Sequence, residues 1–176
     1  MYKRQNKPCG VVSATRDLLH RTVVDLVEQP LAGSLHIAGR LDFNSSGLML
    51  LTNDGAWSRR LSDPDAKVTK TYRVGLERPL GQGDIDAFDA GMYFSYEGIT
   101  TRPAKLVIVS DYQAKVTLVE GRYHQIKRMF SRLGNRVLSI HRCAVGDVML
   151  DPSLAPGQSR PLHVDELQRL SMPDDG

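Results

Sequence analysis

Residues 39–55 read GRLDFNSSGLMLLTNDG, and this stretch decides what is built around it. In an extended segment, residues two apart share a face, so Arg40 and Asp42 point the same way. Residues 43–47 (Phe-Asn-Ser-Ser-Gly) are turn formers, after which Leu48, Met49, Leu50 and Leu51 read as a short buried strand. Asn53-Asp54-Gly55 forces a second turn. The stretch therefore predicts a carboxylate on a loop held by a buried strand, the arrangement in which a rigid scaffold presents a reactive group. On its own, Arg40 with Asp42 reads equally as a structural salt bridge or a loop cap.

Upstream, Asn6-Lys7-Pro8 opens the ordered pattern after a mostly polar start, and Gly10-Val11-Val12 is strand-like. Thr22 with Asp25 resembles a capping box, which predicts a helix carrying Val23, Leu26 and Val27 on one face and stopped by Pro30. Residues 31–34 form a turn, and 35–41 alternate into the opening motif. Downstream, residues 56–61 predict a short helix with Trp57 and Leu61 one turn apart, and 70–76 a strand. Asp84 caps a helix with Ile85 and Phe88 inward and Gly91 at its end. Residues 104–109 and 114–119 are β-branched and form a hairpin. From His124 the period becomes helical, through Ile126, Met129, Phe130 and Leu133, with Gly134-Asn135 as the stop. Strands over 137–140 and 145–150, a Pro/Gly-rich stretch over 152–161 and a helix over 165–170 complete the chain. Strands outnumber helices and come in hairpin order. The expectation is an α+β fold, a mixed, mainly antiparallel sheet core with flanking helices.

The 176 residues fit one domain or two small lobes around a cleft, and 41% hydrophobic content supplies a core. Net charge is only +3, but its distribution is uneven. Residues 121–146 contain no Asp or Glu, while Arg122, Lys127, Arg128, Arg132, Arg136 and Arg142 are all basic. That is the footprint expected for nucleic acid, or else a solvated basic face. Cys9 and Cys143 lie far apart, and there is no secretory leader or membrane-length apolar run, which predicts a reduced, cytoplasmic protein. The five histidines have no metal-ligand spacing, and no GxGxxG or P-loop is present, so neither a metal nor a nucleotide cofactor is expected.

Three pieces can carry chemistry: Asp42 with Arg40, Tyr72 in Lys70-Thr71-Tyr72, and EGRYHQIKRMF over residues 120–130. Taken singly, Tyr72 reads as a packed strand residue, and the apolar face of the third piece as core. Taken together they fit one site. A buried acid needs a cation to stay ionised, which Lys127 or Arg128 supplies. Tyr72 offers a stacking wall for a base. This suits nucleophilic or base chemistry on a nucleoside, and it suits phosphoryl transfer or zinc deamination poorly.

These three motifs, in this order, resemble those of the pseudouridine synthases: GRLDFNSSGLMLLTNDG as the catalytic-aspartate motif, Lys70-Thr71-Tyr72 as K-x-Y, and EGRYHQIKRMF as the third motif. NKPCGVVS and LAPGQSRPL are similar to the branch that modifies ribosomal RNA, and GRYHQIKRMF followed by Gly134-Asn135 to its small-subunit (16S) members. The likeness runs over residues 6–170. It implies that Asp42 attacks the target uridine, at the base or by abstracting a ribose proton, and that the uracil leaves C1′, rotates and is rejoined through C5. Tyr72 would stack on the uracil, and Lys127 would pair with Asp42, with Arg128 as second choice. Leu41 and Ile126 would line the pocket. Arg40, Arg122, His124, Gln125, Arg128, Arg132 and Arg136 would contact RNA. No cofactor or metal is implied. The implied partner is ribosomal RNA, 16S in a partly assembled small subunit with uridine 516 as target, bound by a monomer away from membranes. An N-terminal S4-type RNA-binding domain, common in this branch, is expected to be absent, leaving residues 1–176 as one catalytic domain. A 23S enzyme of the same branch, or a catalytically silent RNA-binding or assembly module, are the alternatives.

Overall fold

The computed structural model describes residues 1–28 and 34–171. The fold is organised by strand β3 (Ser46–Thr52), the apolar run of the opening motif. Leu48, Met49, Leu50 and Leu51 each have 0% exposure because both faces of the strand are covered. Met49 and Leu51 enter the larger core, while Leu48 and Leu50 enter a second one with Trp57, Leu61 and Leu170. A strand buried on both sides reads as a continuous apolar run instead of an alternating one. Each such side chain contributes about 1.5–3 kcal/mol.

Around β3, strands β1 (Tyr2–Lys7) and β2 (His36–Ala38) pair antiparallel, and β11 (Ser159–Pro161) extends the sheet beyond β1. On the other side lies β9 (Val137–Val145), followed by β4 (Lys70–Leu76), β8 (Gln113–Leu118) and β7 (Lys105–Ser110); β10 (Val148–Met149) folds back on β9. A separate two-stranded ribbon pairs β5 (Tyr93–Phe94) with β6 (Ile99–Thr100). Helices α2 (Gln82–Ala90) and α3 (Gln125–Arg132) contribute Phe88 and Phe130 to the larger core, their ring centroids 4.7 Å apart. Helices α1 (Gly55–Ser62) and α4 (Val164–Ser171) close the second core. The expected α+β architecture with a mixed, mostly antiparallel sheet is the one observed. No helix among the described residues is long and apolar enough to cross a membrane.

The two halves of the sheet meet at β3 and β9, which run parallel and pair only at Ser46↔His141 and Gly47↔Arg142. Gly47 has φ +111, and a Cβ there would lie 2.3 Å from the Arg142 carbonyl oxygen. Only glycine permits this approach.

Four sequence expectations need correction. The chain is already a strand from Tyr2, not from Asn6. Its polar residues Arg4, Gln5 and Lys7 are buried: Arg4 pairs with Glu166, the Gln5 amide donates to the Val23 carbonyl and Lys7 to the carbonyls of residues 42 and 45, while Arg4 Nε and Gln5 Oε1 have no hydrogen-bond partner among the described residues. The helix expected after Thr22 is only a turn. The capping-box bonds do form, Thr22 N–H to Asp25 Oδ2 at 2.8 Å and Asp25 N–H to Thr22 Oγ1 at 3.2 Å. Thr22 is, however, bridged to Val12, and Val23 N–H donates to the Val12 carbonyl at 3.0 Å, which pins the segment to a neighbouring strand-like piece. The expected stop at Pro30, and the turn over 31–34 up to residue 33, lie outside the described residues. Strands 137–140 and 145–150 are instead one nine-residue strand and a short return around Gly146. Asp84 is the third residue of α2, its carboxylate accepting from the Gly81 N–H at 2.8 Å, and does not itself cap the helix.

Gly47→Ala is expected to cost about 3 kcal/mol, because a left-handed conformation and a backbone clash add. Gly10→Ala, at φ +79 with open space around it, is expected to cost about 1 kcal/mol. Urea unfolding of the two variants tests this; an equal loss at both positions would remove the β3–β9 approach as a constraint.

Candidate active site

Asp42 lies on the loop between β2 and β3, and nearly every carbonyl of that loop is occupied from below. The Lys7 ammonium donates to the carbonyls of Ser45 (2.7 Å), Pro8 (3.0 Å) and Asp42 (3.1 Å), with Phe43 at 3.5 Å. The Arg142 guanidinium donates to Gly39 O at 3.0 Å and Leu48 O at 2.8 Å. Ser13 Oγ donates to Leu41 O at 2.6 Å and accepts from Leu41 N–H at 3.0 Å. Gly10 N–H reaches Phe43 O at 2.9 Å. A side chain carried on a backbone tied at so many points is held in one orientation.

The Asp42 carboxylate, one-third exposed, opens into a cavity of about 480 Å³. Two basic side chains flank it: Lys127 Nζ lies 3.6 Å from Oδ2, and His124 Nε2 3.6 Å from Oδ1. Both come from the start of α3, which is why a single segment delivers them together. His124 precedes the helix in a left-handed conformation, φ +48 and ψ +35, uncommon for a residue with a Cβ. Tyr72 borders the same cavity from β4 and is buried to 8% exposure. Beside it the register to β9 shifts: Thr71 faces Ala144 but Tyr72 faces Arg142. Such a bulge re-aims side chains near it. It sits where Tyr72 meets the cavity and Arg142 turns under the Asp42 loop.

Leu41 and Ile126 line the cavity, as does Arg40, which is exposed and without a hydrogen bond or ion pair among the described residues. The other basic residues are engaged elsewhere. Arg128, the alternative partner for Asp42, makes a two-armed pair with Glu97 at 2.7 Å on each arm and lies 3.9 Å over the Phe94 ring. Arg132 donates to Tyr93 O at 2.7 Å, and Arg136 to Glu77 at 2.8 Å, both at the surface. Arg142 is 1% exposed and belongs to the loop support, not to a basic face. Gln125, expected to contact RNA, is buried: its amide donates to Glu120 at 2.9 Å and its oxygen accepts from Arg122 N–H at 3.1 Å. Both its polar groups are used internally. Arg122 keeps one-third of its side chain exposed while its Nε donates to Glu120 at 3.0 Å.

Sequence reasoning missed Lys7, Ser13, Glu120 and Tyr123. Two weak signals were available: a lysine immediately before Pro8, and a single acid, Glu120, at the edge of the acid-free stretch. Among the described residues, no group of three His, Cys, Asp or Glu side chains is placed to hold a metal ion.

Comparisons with known proteins place the chain in a family. The family model described as RNA pseudouridylate synthase matches residues 4–132. The ribosomal small subunit pseudouridine synthase A of Pseudomonas aeruginosa is 52% identical over 166 residues, covering 94% of this chain and 72% of that protein. The protein of the same name from Yersinia pestis is 44% identical over 172 residues, covering 98% and 73%. A crystal structure of a pseudouridylate synthase superposes with a TM-score of 0.92 at 46% identity, covering 96% of this chain and 73% of that one. The chain belongs to the RNA pseudouridylate synthase family.

Burial pushes the Lys7 ammonium down from its ordinary 10.5 to about 8, opposed by the Asp42 charge. A lysine whose pKa is depressed on folding leaves the folded state short of a proton between pH 8 and 10.5, so this group makes stability rise across that window. Discharge also removes one donor from the loop carbonyls. Turnover is therefore expected to fall above pH 8 while the urea midpoint does not. Lys7→Met, which removes every donor, is expected to lower kcat about 10²-fold through displacement of Asp42. Stopped-flow kinetics and urea melts on the same samples separate the two effects; parallel loss of rate and stability would refute the assignment.

Proposed function

We propose that this chain isomerises a uridine of 16S ribosomal RNA, expected at uridine 516, to pseudouridine. The observation that carries the reading is one carboxylate, Asp42, held between Lys127 and His124 in a cavity walled by Tyr72. The small-subunit target is supported by the names of the relatives. The target nucleotide leaves the helical stack and enters the cavity, as enzymes acting on a base require. Lys127 Nζ and His124 Nε2 each stand 3.6 Å from the Asp42 carboxylate and fix where it faces the cavity. The carboxylate then attacks the uridine or takes a ribose proton, and the C1′–N1 bond breaks. The freed uracil turns against the Tyr72 ring, C1′ bonds to C5 as the bond to Asp42 breaks or the ribose proton is returned, C5 gives up its proton and N1 gains one. Nothing is added or removed overall, so the step needs no cofactor. Arg40, unpaired at the cavity rim, fills the space beside the RNA backbone. The enzyme acts as a monomer in the cytoplasm, in keeping with two free cysteine thiols.

Asp42→Asn is expected to lower pseudouridine formation at least about 10³-fold with RNA affinity nearly intact. Pseudouridine mapping of 16S and 23S rRNA, from cells with and without the gene, reports activity and target together. Residual turnover near wild type would reject the role of Asp42, and loss of a site in 23S alone would move the target. Tyr72→Phe keeps the stack and removes the hydroxyl; an unchanged single-turnover rate would show that the hydroxyl takes no part in removing the C5 proton.

A further inference from the structure

Tyr123 lines the same cavity as Asp42 and is 75% exposed. Its ring lies flat on the His124 imidazole, centroids 3.9 Å apart and planes 16° apart. His124 in turn stands 3.6 Å from Asp42. An aromatic ring this exposed adds little to a core, and exposed apolar surface at a cavity mouth marks a binding surface. Consecutive side chains diverge in a strand. The left-handed turn at His124 departs from that pattern, and there the two rings stack.

The pair is braced and not loose. The Tyr123 carbonyl accepts from Arg128 Nη1 at 3.1 Å, and Arg128 is itself locked to Glu97. Glu120, 1% exposed, accepts from Arg102 N–H at 2.8 Å, Gln125 at 2.9 Å and Arg122 at 3.0 Å, which fixes the segment leading to Tyr123. A ring held in place before its ligand arrives loses little freedom on binding.

We propose that Tyr123, backed by His124, is a stacking subsite for the nucleobase adjoining the flipped uridine. This rests on the reading of the cavity as the pseudouridine-forming site. When one nucleotide leaves the stack, its neighbour loses a stacking partner, and a platform at the cavity mouth replaces it. Aromatic stacking tolerates any base, so the subsite adds affinity and register more than sequence choice. Arg40, exposed at the same rim and unpaired among the described residues, supplies positive charge for a phosphate strand beside the base, with Arg122, one-third exposed and paired with Glu120, next to it.

The test uses a 16S stem-loop containing the mapped uridine, and the same RNA made abasic on its 5′ or its 3′ side. Wild-type turnover on the parent RNA is measured first; its absence would sink the functional reading, and the subsite with it. Given turnover, Tyr123→Ala is expected to weaken binding of the parent RNA about tenfold, with the melting temperature unchanged. Tyr123→Trp retains binding. On one of the two abasic RNAs, wild type and Tyr123→Ala bind equally. Wild-type affinity in Tyr123→Ala would overturn the subsite, as would an equal loss on the parent and both abasic RNAs.

Discussion

The Asp42 loop depends on an ammonium group that meets carbonyls and no carboxylate. Lys7 is wholly buried, and its hydrogen-bond partners are main-chain oxygens of residues 8, 42, 43 and 45. Removing a charge from water costs several kcal/mol even after the protein relaxes. Hydrogen bonds from a charged donor return about 1.5–3 kcal/mol each. Three short bonds therefore roughly offset the burial, and the loop gains a fixed shape. A carboxylate in place of the carbonyls would have bound Lys7 more tightly. It would also have given the lysine a partner that does not order the loop.

Arg142 repeats the device from the other half of the sheet, with carbonyls of Gly39 and Leu48 as partners. Two buried cations thus lie beneath a loop whose exposed product is an anion. The Lys127 ammonium and the His124 imidazole stand against the carboxylate from above. The carboxylate is left with solvent on one side and basic side chains on the others. Arg128 is the informative contrast. It neighbours Lys127 in the chain, but one helical step turns it through about 100°. That is enough to direct it to Glu97 and the Phe94 ring.

Elements with a local cause were legible in the sequence. The apolar run of β3, the alternation of β4, the hairpin of β7 and β8 and the helical period of α3 each follow from residues within a few positions. Elements with a distant cause were not. Arg4 and Gln5 lie buried in a strand with Glu166 and the Val23 carbonyl as partners, and nothing near residue 4 announces either. Residues 141–144 continue the strand past Ile140 with Arg142 buried against the carbonyls of Gly39 and Leu48, partners that no neighbouring residue announces. Thr22 and Asp25 form the local bonds of a helix start, yet a bridge to Val12 overrides them. The same division holds at the site. Asp42, Tyr72 and Lys127 announce themselves by residue type and order. Lys7 acts through backbone carbonyls of another segment, and Glu120 through the Arg102 N–H and the side chains of Arg122 and Gln125.

The position of the cavity follows from the sheet itself. A parallel contact two residues long cannot hold two strands together over their lengths, so β3 and β9 diverge from Ser46 and Gly47. Ile140, one residue beyond that contact, is on the cavity wall, and Arg142, in register with Gly47, is under the loop. The glycine lets the halves touch, the arginine seals the seam from below, and the loop crosses it. A carboxylate placed on a seam can draw its neighbours from both halves: Tyr72 and Lys127 from one side, and the backbone support of β1 and β3 from the other. Filling the seam with a longer parallel ladder would strengthen the sheet and leave no room above it for a base.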